Sequence, residues 1–199
     1  MGTSVKCIAL LIDMIDVPKE VRSALITNKL LQITKSSLFY DDLNKEFNSC
    51  QIIKKRWKIV ELALEAHKSR KYFLSIPALL TQVEGILSDI IILRGEAKSI
   101  KGKLYARNND GNIKTDRKGN PVLLIGLQKK IQHSRFKNNV ILQNISILMA
   151  DRLITDRNKI LHGQSLTPIK PKLSIQCLLL LLVLSKEINA FLGNNEDAV

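Results

Sequence analysis

Apolar residues recur at steps of three and four positions along most of the chain, which is the period of an amphipathic α-helix. The pattern is clearest between residues 52 and 71, where Trp57, Val60 and Leu64 mark one face. It predicts further helices over residues 17–35, 75–93, 121–134, 139–156 and 171–192. The last of these is apolar nearly all round, as expected of the central helix of a bundle. Residues 38–50 are mixed and fit a short helix or a loop, so the sequence predicts an all-α fold.

The helical pattern is interrupted between Gly95 and Pro121. Gly95 is expected to end the helix before it, and the interrupted stretch is rich in lysine and arginine. Two turn sequences occur in it, at residues 109–112 and 118–121. The first contains an Asp-Gly pair, which is typical of a tight β-hairpin. We therefore predict that residues 95–121 form an exposed basic loop or hairpin inserted into the helical bundle.

The net charge of the chain indicates the class of its partner. The 199 residues include 31 Lys and Arg against 18 Asp and Glu, a net charge of +13, and 45% are apolar. This composition excludes a disordered, collagen-like or disulfide-rich protein. Such an excess of positive charge usually indicates an anionic partner, a nucleic acid or an acidic membrane surface. Aromatic residues make up only 5%, which argues against a surface that stacks bases and favours contacts to phosphates.

Cysteine usage and the absence of a targeting signal indicate the cytoplasm. Cys7, Cys50 and Cys177 are odd in number and widely spaced, which suggests neither a disulfide framework nor a zinc site. The apolar run at residues 178–184 is shorter than the roughly 20 residues that cross a bilayer. We expect no membrane segment, no metal and no other cofactor.

One segment carries groups suited to proton transfer at a phosphate. Residues 155–163 read Thr-Asp-Arg-Asn-Lys-Ile-Leu-His-Gly, with an arginine at 157 and a histidine at 162. A guanidinium can hold a phosphate and stabilise its developing charge, and an imidazole can move a proton. An Arg followed by a His at four to six intervening positions is expected about 0.4 times by chance in this composition, and Asn directly after the Arg lowers this to about 0.03.

This motif and its setting resemble the HEPN superfamily, small domains of four to five core helices with a signature of Arg and His four to six residues apart. Two earlier segments look like the first two helices of HEPN domains in bacterial phage-defence and abortive-infection proteins: Ala-Leu-Glu-Ala-His at 63–67, and residues 72–87. The resemblance covers about residues 51–193. Residues 1–50 would form an N-terminal helical extension packed on the bundle, and residues 194–199 a disordered tail.

The resemblance implies a metal-independent endoribonuclease that acts in antiphage defence or as a toxin. Two Arg/His pairs would meet at a homodimer interface. Arg157, assisted by Asn158, would bind the scissile phosphate, and His162 would move the proton, leaving a 2′,3′-cyclic phosphate and a 5′-hydroxyl. RNA, a second copy of the chain and an antitoxin or other defence-system protein are the implied partners. The alternatives are a non-catalytic HEPN module that binds RNA or nucleotides or acts as an assembly or regulatory subunit, and a purely structural helical adaptor.

Helix geometry agrees with a site shared by two copies. A step of five residues turns a regular helix by about 500°, which leaves Arg157 and His162 about 140° apart and about 7.5 Å apart along the axis. One pair alone would not close readily on one phosphate. Gly163 suits the position just after a helix end, where the helix dipole would favour the protonated form of His162.

The remaining candidates would support this site. Glu84 could orient Arg157 or the Arg/His pair of the second copy, and an ordinary ion pair is an equal alternative for it. Asp156 is the second supporting candidate, and Arg157 and His162 could instead be plain helix-end residues that bond carbonyls or pair with Asp156. The residues predicted to contact RNA phosphates are Lys54, Lys55, Arg56, Lys58, Lys101, Lys103, Arg107 and Lys159. These bases could instead serve only to keep an aliphatic bundle soluble. We expect His67 to be structural and His133 to lie on the solvated surface.

Overall fold

The computed structural model describes residues 19–133 and 171–196, and this part of the chain is mostly helical. The helices are α1 (Lys19–Lys35), α2 (Ser37–Asn48), α3 (Gln51–Lys54), α4 (Trp57–Lys68), α5 (Tyr72–Leu93), α6 (Gly126–His133) and α7 (Pro171–Glu196). Two short strands, β1 (Ala97–Ile100) and β2 (Lys103–Ala106), lie between α5 and α6 in the chain. The prediction of a helical fold is confirmed, with a small sheet added to it.

The chain divides into two compact units, described here separately. The first combines Met1–Leu79 with Thr167–Val199. In it α1, α2 and α4 all contact α7, so the helix that is apolar nearly all round is central to this unit, as predicted. On α2 the completely buried apolar side chains Phe39, Leu43 and Phe47 lie about one helical turn apart. Each stabilises the fold by about 1.5–3 kcal/mol relative to an exposed position.

Local sequence explains how α1 and α2 are separated. Ser36 precedes α2 in an extended conformation, and its hydroxyl oxygen accepts a hydrogen bond from the Phe39 N–H at 3.2 Å. Such a cap satisfies one of the N–H groups that a helix start leaves without an intrahelical partner. The mixed segment at 38–50 is thus a helix.

Two predicted helix boundaries in this part of the chain are wrong. The helix predicted over 52–71 is two helices, because α3 ends at Lys54 and α4 begins at Trp57. The Arg56 N–H bonds to the Ile53 carbonyl at 2.9 Å in a tight turn, so the apolar period continues across the break and does not reveal it. The helix predicted from residue 75 starts at Tyr72 and contains Pro77, where proline removes one backbone hydrogen bond.

The second unit, Leu80–Leu166, contains the sheet. β1 and β2 are antiparallel, with Ala97 opposite Ala106. They are joined by Lys101 and Gly102, whose positive φ angles are those of a type I′ turn. Along its other edge β2 bonds to residues 122–124, since the Ala106 N–H donates to the Val122 carbonyl at 2.9 Å. The predicted hairpin insertion is therefore a small folded sheet.

The end of this sheet corrects a further boundary. Pro121 was expected to start a helix, but it forms an isolated β-bridge with Thr115, and α6 begins only at Gly126. Proline fits the start of a helix and an edge position of a sheet equally well, because neither requires its N–H. The neighbouring Val122 N–H donates to the Lys114 carbonyl at 2.8 Å and fixes the sheet alternative.

At the C-terminal end, α7 reaches Glu196, past the predicted end at residue 192 and into the segment predicted as a disordered tail. The predicted helix over 139–156 lies outside the described residues. Two helices, α5 and the Pro171–Ala190 part of α7, are long and apolar enough to cross a membrane, and 50% and 56% of their most apolar windows are buried within the protein. Core helices of soluble proteins meet the same criterion, so the expectation of no membrane segment stays a prediction.

Candidate nucleic-acid interface

The proposed catalytic motif lies outside the residues that the structure describes. This applies to the predicted catalytic residues Arg157, Asn158 and His162, to the supporting candidate Asp156 and to the predicted RNA contact Lys159. Their roles stay predictions.

Four predicted RNA contacts lie between the end of α3 and the first turn of α4. Lys54 and Lys55 are exposed, and Arg56 is half-buried just before α4. The Lys58 side chain is 78% exposed and its Nζ lies 3.2 Å from a carboxylate oxygen of Glu61. An exposed ion pair of this kind contributes at most about 1 kcal/mol, so Lys58 can exchange its partner for a phosphate. The three lysines are accessible to an anionic ligand.

The predicted contacts in the sheet differ among themselves. Lys101 and Lys103 are exposed at the β1–β2 turn, as expected for bases that meet a phosphate backbone. Arg107 is half-buried, and its Nε donates a hydrogen bond to the Gly111 carbonyl. A Cβ atom on Gly111 would lie 2.8 Å from an Nη atom of Arg107, so the absence of a side chain at 111 makes room for the guanidinium. Arg107 is thus held in place, whereas the two lysines are solvated.

Arg107 lines a pocket of about 360 Å³ in the second unit. Among the described residues its lining includes two arginines, a histidine and two asparagines, against one glutamate. Its lining residues are Arg94, Gly95, Glu96, Arg107, Asn108, Asn109, Gly111 and His133. Of these residues, only Arg107 is among the predicted RNA contacts.

The end of α5 builds one wall of this pocket. The Gly95 N–H bonds to the Ile92 carbonyl at 2.9 Å, and the Glu96 N–H bonds to the Ile91 carbonyl at 2.9 Å. This pair of bonds is a Schellman motif, in which glycine commonly takes the turning position. The prediction that Gly95 ends the helix is confirmed, and Arg94 is left at a helix C-terminus, where a positive charge is favoured.

One backbone carbonyl joins the three segments of the pocket. The Glu96 oxygen accepts hydrogen bonds from the Arg107 N–H at 2.8 Å and from Nε2 of His133 at 2.8 Å. Because a carbonyl only accepts, Nε2 carries the hydrogen, and Nδ1 accepts in the neutral ring or donates in the protonated one. The expectation that His133 lies on the solvated surface is wrong, since it is half-buried and bonded.

Glu84 forms an ion pair in the same unit. Its Oε1 lies 2.9 Å from Nζ of Lys130, and the two side chains are only 18% and 11% exposed. The ion-pair alternative for Glu84 is therefore confirmed. Its proposed role in orienting Arg157 stays a prediction, because Arg157 is not among the described residues.

His67 belongs to a buried polar cluster in the first unit. Its Nε2 lies 3.0 Å from the Thr34 hydroxyl and its Nδ1 lies 2.8 Å from the Ser174 hydroxyl, which is 3.0 Å from the hydroxyl of Ser75. All four residues are completely buried. Burial, and secondarily the charge of Lys35, lowers the pKa of His67 from 6.5 to about 4. A neutral, fully bonded imidazole confirms the structural role expected for His67.

Among residues 19–133 and 171–196, no group of three or more His, Cys, Asp or Glu side chains is arranged to hold a metal ion. Comparisons with protein-family models, curated proteins and solved structures gave no match.

Position in the sequence could have indicated part of the pocket. Arg94 directly precedes the helix-ending glycine, and Asn108 and Asn109 precede the Asp-Gly turn, so their place at the edge of the insertion was readable. No local signal shows that His133 returns to Glu96, 37 residues earlier in the chain.

Proposed function

We propose that the protein is a metal-independent endoribonuclease of the HEPN type, acting in antiphage defence or as a toxin. One observation carries the proposal: the sequence Arg-Asn-x3-His at residues 157–162, a combination expected about 0.03 times by chance in this composition. The net charge of +13 suits a polyanionic substrate. The mostly helical fold of the described residues is compatible with a helical HEPN bundle.

The proposed reaction is a transesterification within the RNA chain. The 2′-oxygen of a ribose attacks the adjacent phosphorus, and the bond from phosphorus to the 5′-oxygen of the next nucleotide breaks. His162 accepts the proton of the 2′-hydroxyl or donates a proton to the leaving 5′-oxygen, and water exchanges the other proton, so that one proton passes in total from the 2′-oxygen to the 5′-oxygen. Arg157, with Asn158, binds the phosphate and stabilises the negative charge that builds on its oxygens. The products are a 2′,3′-cyclic phosphate and a 5′-hydroxyl, and no oxidation or reduction occurs.

A homodimer is part of this proposal. Large apolar side chains that are exposed in one copy offer a surface for a second one. On α4, Ile59 and Leu62 are 46% and 59% exposed, and at the start of α5, Phe73 and Leu74 are 62% and 53% exposed. Ile59 and Leu62 lie three positions apart and therefore share a face of their helix. These side chains are the candidates for the dimer interface.

Cleavage of RNA in the presence of EDTA tests the enzymatic proposal. The wild type, Arg157→Ala and His162→Ala are incubated with total RNA, and Arg152→Ala serves as a matched control that removes an arginine outside the motif from the same segment. We expect cleavage by the wild type and the control, and a loss of about 100-fold or more in the two motif variants. Mass spectrometry of the fragment ends should find the cyclic phosphate.

Three outcomes would contradict the proposal. Absence of cleavage by the wild type, equal cleavage by all variants, or dependence on an added divalent cation would each show that the motif is not a metal-independent nuclease site. RNA binding without cleavage would identify the alternative, a non-catalytic HEPN module.

A further inference from the structure

We propose that the pocket between the end of α5, the Asn108–Gly111 turn and the end of α6 binds the phosphate group of a nucleotide. The residues that build it lie within the described part of the chain, 94–133, and are different from those of the 157–162 motif, so the proposal goes beyond the ribonuclease assignment and does not depend on it. Three features of the described residues carry it: the charge of the lining, the fixed position of its groups, and its size.

The charge of the pocket selects an anion. Two arginines, Arg94 and Arg107, line it, against one acidic residue, Glu96, in the described part of the chain. Glu96 is only 6% exposed, so the carboxyl presents little surface to a ligand. Guanidinium groups bind phosphate oxygens through paired N–H donors in a planar fork, which a lysine cannot reproduce. Residues 80–133 together contain ten basic and five acidic side chains, so the surrounding chain is positive as well.

Arg107 and His133 are held in place before any ligand arrives. The Glu96 carbonyl fixes both the Arg107 backbone and the His133 ring at 2.8 Å. The Asn108 side-chain oxygen accepts the Asn112 N–H at 2.9 Å and closes the turn, whose Gly111 carbonyl holds the Arg107 side chain. Side chains that are already ordered lose less conformational freedom on binding. A pocket with this lining is therefore more than a group of solvated surface charges.

The volume limits what the pocket can take. About 360 Å³ lies near the lower end of the range for small-molecule sites, roughly 300–1,000 Å³. This accommodates one phosphate with part of its nucleoside and excludes a longer segment of nucleic acid. Two sources share this chemistry: an internal phosphodiester of single-stranded RNA, and the terminal phosphate of a free nucleotide.

Binding assays with matched variants test the proposal on the full-length protein. The ligands are AMP, inorganic phosphate and a 2′-O-methyl RNA decamer with hydroxyl groups at both ends. The methylated RNA keeps its phosphodiesters and lacks the 2′-hydroxyl that cleavage needs, so binding is measured apart from any nuclease activity. Arg107→Gln and Arg94→Gln change the pocket, whereas Arg117→Gln removes the same charge from an exposed position of the same unit.

We expect Arg107→Gln and Arg94→Gln each to weaken binding of the preferred ligand at least tenfold, and Arg117→Gln to weaken it by less than twofold. Binding of AMP and phosphate identifies a terminal phosphate as the source, and binding of the decamer alone identifies an internal phosphodiester. Equal losses in all three variants would show that only the overall charge matters. No binding of any ligand by the wild type would also overturn the proposal. Circular dichroism of each variant verifies the fold, and His133→Gln, which keeps a side-chain donor at 133, is the second pocket variant if Arg107→Gln unfolds.

Discussion

Acidification is expected to destabilise the first unit through a single buried imidazole. His67 is completely buried and bonded to the hydroxyls of Thr34 and Ser174, and burial lowers its pKa from 6.5 to about 4. In the unfolded chain the ring regains its ordinary pKa. Between pH 6.5 and pH 4 the unfolded state therefore binds more protons than the folded state, and the folded state loses stability as the pH falls.

The size of the effect follows from the two pKa values. A difference of one pKa unit corresponds to about 1.4 kcal/mol, so linkage predicts a loss of about 2 kcal/mol of unfolding free energy between pH 7 and pH 5. The loss approaches a limit of about 3 kcal/mol below pH 4. Since a small domain is stable by only about 5–15 kcal/mol, this one residue changes the urea midpoint measurably.

Urea denaturation of the wild type and of His67→Gln at pH 7, 6 and 5, followed by circular dichroism, isolates this contribution. Glutamine can donate and accept hydrogen bonds but does not titrate in this range. All other groups titrate alike in the two proteins. From pH 7 to pH 5 the wild type should therefore lose about 2 kcal/mol of unfolding free energy relative to His67→Gln. A difference that stays constant with pH, or that shifts in favour of the wild type, would refute the burial argument.

The remaining predictions concern the ion pair, the pocket turn and the dimer. Glu84→Gln leaves the nearly buried Lys130 ammonium without its carboxylate and should lower the unfolding free energy by about 1–3 kcal/mol; a change below 0.5 kcal/mol in urea denaturation would contradict this. Gly111→Ala adds a Cβ at a φ of +80° and 2.8 Å from Arg107, so it should lower the unfolding free energy by about 1–2 kcal/mol and weaken phosphate binding. Unchanged binding would show that the position of the guanidinium does not matter for the phosphate. Leu62→Glu places a charge on the candidate interface and should convert a dimer to a monomer in light scattering, and an unaffected dimer would exclude this face.

Periodicity predicted much of the helical fold because burial of one helix face leaves a direct trace in the sequence. Residues 171–192 are apolar nearly all round, and this predicted the central position of α7. The spacing of apolar residues by three and four positions likewise predicted helix α5. Boundaries were predicted less well. The break at Arg56 depends on a local turn bond to Ile53, and the strand position of Pro121 depends on backbone pairing with residues 114 and 115. A pattern of apolar positions records neither.

The sequence by itself determined which class of partner and which chemistry are proposed. Net charge is a sum over residues, and the Arg157 and His162 motif is a local spacing, so both can be read without coordinates. Only the tertiary structure decided which basic groups are positioned and which are solvated. Arg107 and Lys103 are both basic residues of the insertion, yet Arg107 is fixed by Gly111 and by the carbonyl of Glu96, whereas Lys103 is exposed. Those partners lie on either side of Arg107 in the chain, and the turn and the sheet bring them to it, so the pocket exists only in the folded protein.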